Sequence, residues 1–380
     1  MKSKILKYSV LLVLLGISAG GIYYLKLPNR HKAIIKTRLF HTLGLVDNTW
    51  NIKKTDSTIS LITPTLVIDN IYKSMEGPKA MTPFQVDPTK SDLIWLTSFK
   101  TAAVSTNEVD QLSNDYVCHT NVDFYENEHF SKWQLNDRIG QQYPRLATLS
   151  NGIESYQFPD GFGFPVFTNE NLFLITQSLN HNIKSESFSI KHEVTLGYKL
   201  NNPAMKPLME RTAFVMLPYN DHQMFDVPHQ NDADMCIPVD TKNHSYVDDE
   251  GHHLSGHWVI FPGKATYSSD VTKQLLLTDS TTVHFMVAHL HPFAESLSLI
   301  DKTIDSTLFT STAENYAEKI GLTKVSSFSS ETGLTLYPDH QYELVLKTNN
   351  TSGVDQDMMA SMFMFLYDKE MAEKLKRSGL

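Results

Sequence analysis

The stretch VHFMVAHLHPFAESLSLI, from Val283 to Ile300, decides how the rest of this chain is interpreted. Its apolar and β-branched residues predict a buried strand. Two histidines within it, His289 and His291, are one residue apart, and side chains at i and i+2 of a strand point to the same face. The two imidazoles can therefore bind one metal ion.

A second apolar, strand-like stretch, DMMASMFMFLY (357–367), follows about 70 residues after the histidine pair. Alternation along a strand places Met359 on one face with Ser361 and Phe363, whereas Met358 faces the other way. Packing in the core is the competing explanation for a methionine-rich strand. Two imidazoles and one thioether suit a soft, redox-active ion, copper as Cu(I) in particular.

These residues resemble the metal-binding pattern of a known family, the type II copper, ascorbate-dependent monooxygenases, such as peptidylglycine α-hydroxylating monooxygenase and dopamine β-monooxygenase. In that family an HxH pair and a methionine in a D-x-M run hold the oxygen-binding copper, and His289, His291 and Met359 match this pattern in order. The segment VIFPGK (259–264) is similar to the one that opens the family's catalytic half. The resemblance covers about the last third of the chain. It implies a copper cofactor, ascorbate as reductant, and insertion of one oxygen atom into a C–H bond.

The same resemblance implies a second, electron-transfer copper, held by an adjacent His-His pair and a third histidine from a later strand. Here the pair position reads Cys118-His119, so His119 matches and the first histidine is replaced. The position of the third histidine falls on Leu179 or Asn180, and the side chain of His181 would point to the opposite face from Asn180. One matching ligand of three does not hold a copper tightly.

Cys118 and Cys236 are the chain's two cysteines. Cys118 could be a thiolate ligand for Cu(I), could pair with Cys236, or could be a buried thiol. A separate cluster, His252, His253 and His257, lies in a polar stretch that predicts a loop. Solvated loop histidines are the commoner explanation for that cluster, and transient capture of copper is the functional one.

Length and composition predict an all-β protein with two domains. A chain of 380 residues exceeds the usual size of a single core. We expect two tandem antiparallel β-sandwich domains of jelly-roll type, the first at 51–205 and the second, with the catalytic copper, at 258–370. A connection rich in His and Asp, 206–257, would join them, and Ser311 to Gly321 predicts one helix within the second.

The N-terminus indicates the compartment. Three lysines precede an apolar run from Tyr8 to Leu25, so residues 1–26 predict a signal peptide or a membrane anchor, followed by a linker at 27–50. Both alternatives predict export, either membrane-anchored through residues 8–25 or periplasmic or extracellular. The net charge of −9, with no basic block beyond this end, argues against a nucleic-acid partner.

Three functions are compatible with these features of the sequence. The first is a copper monooxygenase acting on an unknown small molecule or peptide, with no catalytic residue assigned beyond the metal ligands. The second is a non-catalytic carrier of one copper, and the third is a metal-free β-sandwich that binds a protein or a glycan. In the peptide-hydroxylating members of the family an Arg and a Tyr bind the substrate carboxylate, and Arg211 and Tyr219 are the nearest candidates by region.

Overall fold

The computed structural model describes residues 2–141, 143–218, 245–247 and 253–379. Strands make up most of this part of the chain and are arranged in several sheets, so the prediction of an all-β fold is confirmed.

Eleven strands form the first half of the molecule. They are β1 (Asn51–Lys54), β2 (Thr58–Ile62), β3 (Leu66–Ile68), β4 (Lys79–Phe84), β5 (Leu93–Val104), β6 (Val117–Phe124), β7 (Arg145–Ser150), β8 (Ser155–Gln157), β9 (Phe162–Phe167), β10 (Leu172–Ser178) and β11 (Phe188–Leu200). One sheet has the order β1-β2-β11-β5-β9, and a second, four-stranded sheet has the order β4-β10-β6-β7. Alternation explains their packing: along β10, Leu172 and Leu174 are buried in the core while Phe173 between them is partly exposed.

Fourteen described strands form the second half. They are β12 (Lys206–Phe214), β13 (Leu217–Pro218), β14 (Ser245–Val247), β15 (His253–Ser255), β16 (Trp258–Ile260), β17 (Gly263–Asp270), β18 (Thr281–Leu290), β19 (Ala294–Asp301), β20 (Ser306–Asn315), β21 (Leu322–Val325), β22 (Ser327–Leu336), β23 (Tyr342–Asn350), β24 (Gln356–Met358) and β25 (Ala360–Tyr367). Its main sheets have the orders β12-β25-β18-β22 and β17-β23-β19-β20-β21. Strands β16 and β24 form a separate two-stranded sheet, which does not include β18.

The two halves pack against each other through one continuous core. A short parallel pairing of β9 with β12 joins their large sheets, with Lys206 opposite Phe162. Aromatic rings cross the same boundary: the ring centroids of Tyr156 and Phe285 are 4.9 Å apart. Strand β12 lies within the range 206–257 that the sequence assigns to a connection, so part of that range belongs to the second half.

The predicted helix from Ser311 to Gly321 is wrong. Residues up to Asn315 extend β20, which pairs with β19. Ser311 is buried while Thr310 and Thr312 on either side are exposed, which is the period-two pattern of a strand. Pairing with a neighbouring strand thus outweighs the helical propensity of this segment, since tertiary contacts routinely override propensity.

The described helices lie mostly at the two ends of the chain. They are α1 (Lys2–Lys26), α2 (Asn29–Thr42), α3 (Glu126–Trp133), α4 (Thr272–Leu275) and α5 (Lys369–Ser378), with short 3-10 turns at Asn114–Tyr116 and Asn136–Arg138. Within the described residues, no helix combines the length and the apolar character needed to cross a membrane. The range 27–50, predicted as a linker, contains α2, whose Ala33 is buried against Leu66 and Ile68 of the first half.

Candidate metal centre

The histidine pair lies at a strand end rather than inside one long strand. Strand β18 ends at Leu290, so His289 is on the strand opposite Ser361 of β25, and His291 is the first residue beyond it. Phe293, with φ of 74°, reverses the chain into β19. The stretch that the sequence predicts as one buried strand is therefore two strands and a turn.

The geometry of the pair is compatible with a shared ion. The ring centroids of His289 and His291 are 5.5 Å apart and their planes are nearly perpendicular. Because a metal–nitrogen bond is about 2.0 Å long, two imidazoles on one ion have centroids roughly 5 Å apart. A small adjustment of the side chains would bring both rings to one ion.

The side chains of the two adjacent methionines have different surroundings, as alternation along a strand predicts. Met358 ends β24 opposite Trp258 and is fully buried in the core. Met359 lies between β24 and β25, is partly exposed, and lines the same pocket as His289 and His291. The structure therefore brings the three predicted ligands to one pocket.

That pocket lies between the two halves of the molecule. Its lining side chains are Met75, His119, Asn121, Tyr143, Arg145 and Thr148 from the first half, and Thr212, Phe214, His257, His289, His291, Met359, Ser361 and Phe363 from the second. His119, on β6, thus faces the same space as the histidine pair. The assignment of His119 to an electron-transfer copper stays a prediction.

His291 is contacted on both ring nitrogens. Its Nδ1 lies 3.2 Å from Asp357 Oδ2 and 3.3 Å from the Asp357 carbonyl oxygen, and its Nε2 lies 3.2 Å from Ser74 Oγ. Burial acts to raise the pKa of Asp357, but the adjacent rings of His257 and His291 outweigh it and hold that pKa well below its usual value. Asp357 is therefore an anion between two imidazoles.

His257 is part of this centre and not a solvated loop residue. It is partly buried just before β16, and its Nε2 lies 3.5 Å from Asp357 Oδ2. Its ring centroid is 5.6 Å from that of His291. His253 begins β15, and His252 lies outside the described residues. Sequence spacing does not link His257 to Asp357, because the two are brought together by the pairing of β16 with β24.

Cys118 and His119 are adjacent in space as well as in sequence. A register shift in β6 beside Gln177 and Ser178 puts His119 Nδ1 3.4 Å from Cys118 Sγ. Burial raises the pKa of Cys118 to about 11 and lowers the pKa of His119 to about 3. At neutral pH the thiol is therefore protonated and the imidazole is neutral. Cys236, its possible disulfide partner, lies outside the described residues.

The later ligand position of the second copper is filled by structural side chains. Leu179 is buried, and Asn180 Nδ2 donates hydrogen bonds to the carbonyl oxygens of Asn70 and Ile183 at 2.8 and 2.6 Å. His181 interacts electrostatically with Asp357, and burial lowers its pKa to about 4. Neither Leu179 nor Asn180 lines the pocket that contains His119.

Of the two candidates by region for binding a substrate carboxylate, Arg211 and Tyr219, the structure describes only Arg211. Arg211, on β12, is partly buried and donates from Nη1 to the Glu210 carbonyl oxygen, and it does not line the pocket that holds the histidine pair. Tyr219 lies outside the described residues. Arg145 and Tyr143 line that pocket instead, with the guanidinium 4.3 Å from the tyrosine ring centroid. No motif in the sequence marks them.

One turn of the first half reaches the pocket in a strained backbone conformation. Met75 has φ of 66°, which is uncommon for a residue with a side chain, and its side chain lines the pocket. Gln177 Nε2 donates to the carbonyl oxygens of Met75 and Gly77 at 2.7 and 2.8 Å. The surrounding structure therefore holds this turn in place, as is common for strained residues at functional sites.

Comparison with known proteins gives structural similarities only. No family model matches the chain, and no curated protein matches it. Among solved structures, the chain is similar to peptide:N-glycanase F, with 11% identity and a TM-score of 0.33 over 85% of this chain and 96% of that one. It is also similar to the major capsid protein P2 of bacteriophage PM2, with 10% identity and a TM-score of 0.26 over 80% and 98%. We draw no functional conclusion from similarities at this level.

Proposed function

We propose that this protein is a copper-dependent monooxygenase-like enzyme in which His289, His291 and Met359 hold the ion. One observation carries the proposal: Met359 is about 70 residues from His289 and His291 in the sequence, yet all three side chains line a single pocket. The neighbouring Met358 is buried in the core, so the selection of Met359 does not follow from methionine content alone. The substrate is a small molecule or a peptide, and ascorbate or another reductant supplies electrons.

The donor set fits copper. Two imidazoles with a thioether favour Cu(I) over hard ions, and bound copper would supply one-electron redox chemistry and a position for dioxygen. Asp357 would orient the His291 ring, as carboxylates commonly do for metal-bound histidines. Phe214 and Phe363 supply apolar walls to the pocket, which would limit the access of water.

We assign one copper to the chain. At the place of the second copper, the described residues offer one imidazole, His119, and one thiol, Cys118. This incomplete ligand set favours delivery of electrons from an external reductant. It also favours a second candidate function, a carrier that binds one copper without catalysis.

The proposal extends to the compartment. Basic residues followed by the apolar run 8–25 support export of the chain, with that run as a cleaved signal or a membrane anchor. An exported protein would meet copper and dioxygen outside the reducing cytoplasm.

Copper stoichiometry and oxygen consumption test the proposal. We expect about one copper per purified chain and ascorbate-dependent consumption of dioxygen that is lost in His289→Ala and Met359→Ala. His31→Ala, in α2, and Met81→Ala, whose side chain is 45% exposed on β4, are matched controls outside the pocket. Copper without oxygen consumption would indicate the carrier. If the purified protein does not bind cuprous ions, both the enzyme and the carrier are contradicted, and the metal-free interaction module is the function that is left.

A further inference from the structure

Three donor atoms beside the pocket lie at the spacing of metal ligands. Asp357 Oδ2 is 3.2 Å from His291 Nδ1 and 3.5 Å from His257 Nε2, and all three atoms lie within 4.8 Å of one another. Donors about 2.0–2.1 Å from a tetrahedral ion are roughly 3.3 Å apart. The arrangement therefore needs little movement to accept an ion.

Strand pairing builds this cluster. Strands β16 and β24 pair antiparallel with Val259 opposite Asp357, which holds His257, two residues earlier, beside the carboxylate. The end of β18 supplies His291 from a different sheet. Because each donor comes from a segment anchored by a strand, the cluster is preorganised.

The two imidazoles that pair with the carboxylate lie too far away to satisfy it fully. The side chain of Asp357 is only 10% exposed, and among the described residues no group makes a hydrogen bond of acceptable geometry to Oδ2. Both imidazole nitrogens are farther away than the roughly 2.7–2.9 Å of a charge-assisted hydrogen bond. A buried anionic oxygen without such bonds is costly, and a bound cation would remove the cost.

We propose that His257, His291 and Asp357 form a binding site for a divalent ion of the Zn²⁺ type. Two imidazoles and a carboxylate are a ligand set that zinc uses, and carboxylate suits Cu(I) poorly. His257 and His291 line the pocket, so the fourth coordination position faces it and is open to water or to a group of a bound molecule. The site is defined by its own donors and stands whether or not His289 and Met359 bind copper.

The two ligand sets share one ring. A proton on His291 Nε2, donated to Ser74 Oγ, leaves Nδ1 for the site with Asp357. A proton on Nδ1 instead leaves Nε2 for copper. Because a neutral imidazole has one nitrogen lone pair available to a metal, the two ions compete for His291.

Zinc titration of the full chain, stripped of metal with a chelator, tests the site. We expect one Zn²⁺ per chain by isothermal titration calorimetry, with affinity reduced roughly 100-fold in His257→Gln and in Asp357→Asn. Met81→Leu and His31→Gln, both outside the pocket, are matched controls that should bind Zn²⁺ as the unmodified chain does. His257→Gln changes a partly exposed residue, so a readout survives if Asp357→Asn fails to fold.

X-ray absorption at the zinc edge gives an independent readout. Nitrogen and oxygen neighbours alone support the site, whereas a sulfur neighbour would assign the ion to Met359 or Cys118 and overturn it. Unchanged zinc affinity in His257→Gln would also overturn it. Cu(I) binding in Met359→Leu is measured separately, so failure of the copper proposal is distinguishable from failure of the zinc site.

Discussion

Ser74 Oγ lies 3.2 Å from Nε2 of His291, although the two residues are 217 positions apart in the chain. Ser74 belongs to a turn of the first half and His291 to the end of β18 in the second. The contact therefore shows that the pocket is assembled from both halves. A hydroxyl from the first half thus contacts the nitrogen that copper would take over in the second half.

Removing this hydroxyl should weaken the structure without removing the metal. We expect Ser74→Ala to lower the free energy of unfolding by about 1 kcal/mol, the usual net value of one hydrogen bond. Urea unfolding measures the change, and copper stoichiometry should stay the same. Ser298→Ala, which removes an exposed hydroxyl pair with Thr310, is the control and should cost less. A loss of metal in Ser74→Ala would mean that the hydroxyl is itself a ligand.

The two adjacent methionines should respond differently to the same substitution. Met358 is fully buried, so Met358→Ala should cost about 2–5 kcal/mol of stability through the cavity that it creates. Met359→Ala should cost much less stability but should weaken Cu(I) binding. Thermal unfolding and competition with a chromophoric Cu(I) chelator measure the two effects. The reverse result would assign the thioether ligand to Met358.

Gly77 should not tolerate a side chain. A Cβ at this position would lie 2.1 Å from the Ser178 carbonyl oxygen, which is backbone and cannot rotate away. Gly77→Ala should therefore displace the turn that carries Ser74 and Met75, and should lower both stability and metal affinity. Gly140→Ala is a useful comparison of another kind: a Cβ there meets no atom within 4 Å, so it carries only the strain of a positive φ (73°), which Gly77 does not have. An effect of Gly77→Ala no larger than that of Gly140→Ala would contradict the close-packing argument.

Stability should fall in mild acid because of buried His192. Burial lowers its pKa from 6.5 to about 4, so the unfolded chain takes up a proton below about pH 6.5 while the folded chain stays neutral. The unfolded state then binds more protons, and the free energy of unfolding decreases between pH 6.5 and 4, by about 3 kcal/mol for this residue. Above pH 6.5 this contribution is constant.

Comparison of two variants isolates that contribution. His192→Gln should show a smaller loss of stability on acidification than the unmodified chain, measured by urea unfolding at pH 7 and pH 4.5. His31→Gln, in α2, should follow the unmodified chain. Identical pH dependence in His192→Gln would contradict the assignment.

Cu(I) itself should stabilise the protein if it binds the folded state alone. At a free concentration of 100 times its dissociation constant, the expected gain is about 2.7 kcal/mol. A cuprous chelator should reverse the shift in melting temperature, and Met359→Leu should show a reduced shift where Met81→Leu does not. A shift that is equal in both variants would argue against Met359 as a ligand.

The sequence by itself determined the β-rich class and the three residues of the copper proposal. Alternation is a local property, so it separated Met359 from Met358, and HxH spacing put His289 and His291 within reach of one ion. Local signals failed where pairing competes with propensity. The composition of the segment from Ser311 predicts a helix, but residues up to Asn315 belong to β20, which pairs with β19 in a sheet.

Only the tertiary structure decided which distant residues meet. His257 and Asp357 are 100 positions apart and share no motif, yet the register of β16 on β24 places them 3.5 Å apart. Arg145 and Tyr143 reach the pocket in the same way, from the first half of the molecule. The physical reason is that spacing within one strand is set by the backbone, whereas contacts between strands depend on a register that the whole sheet selects.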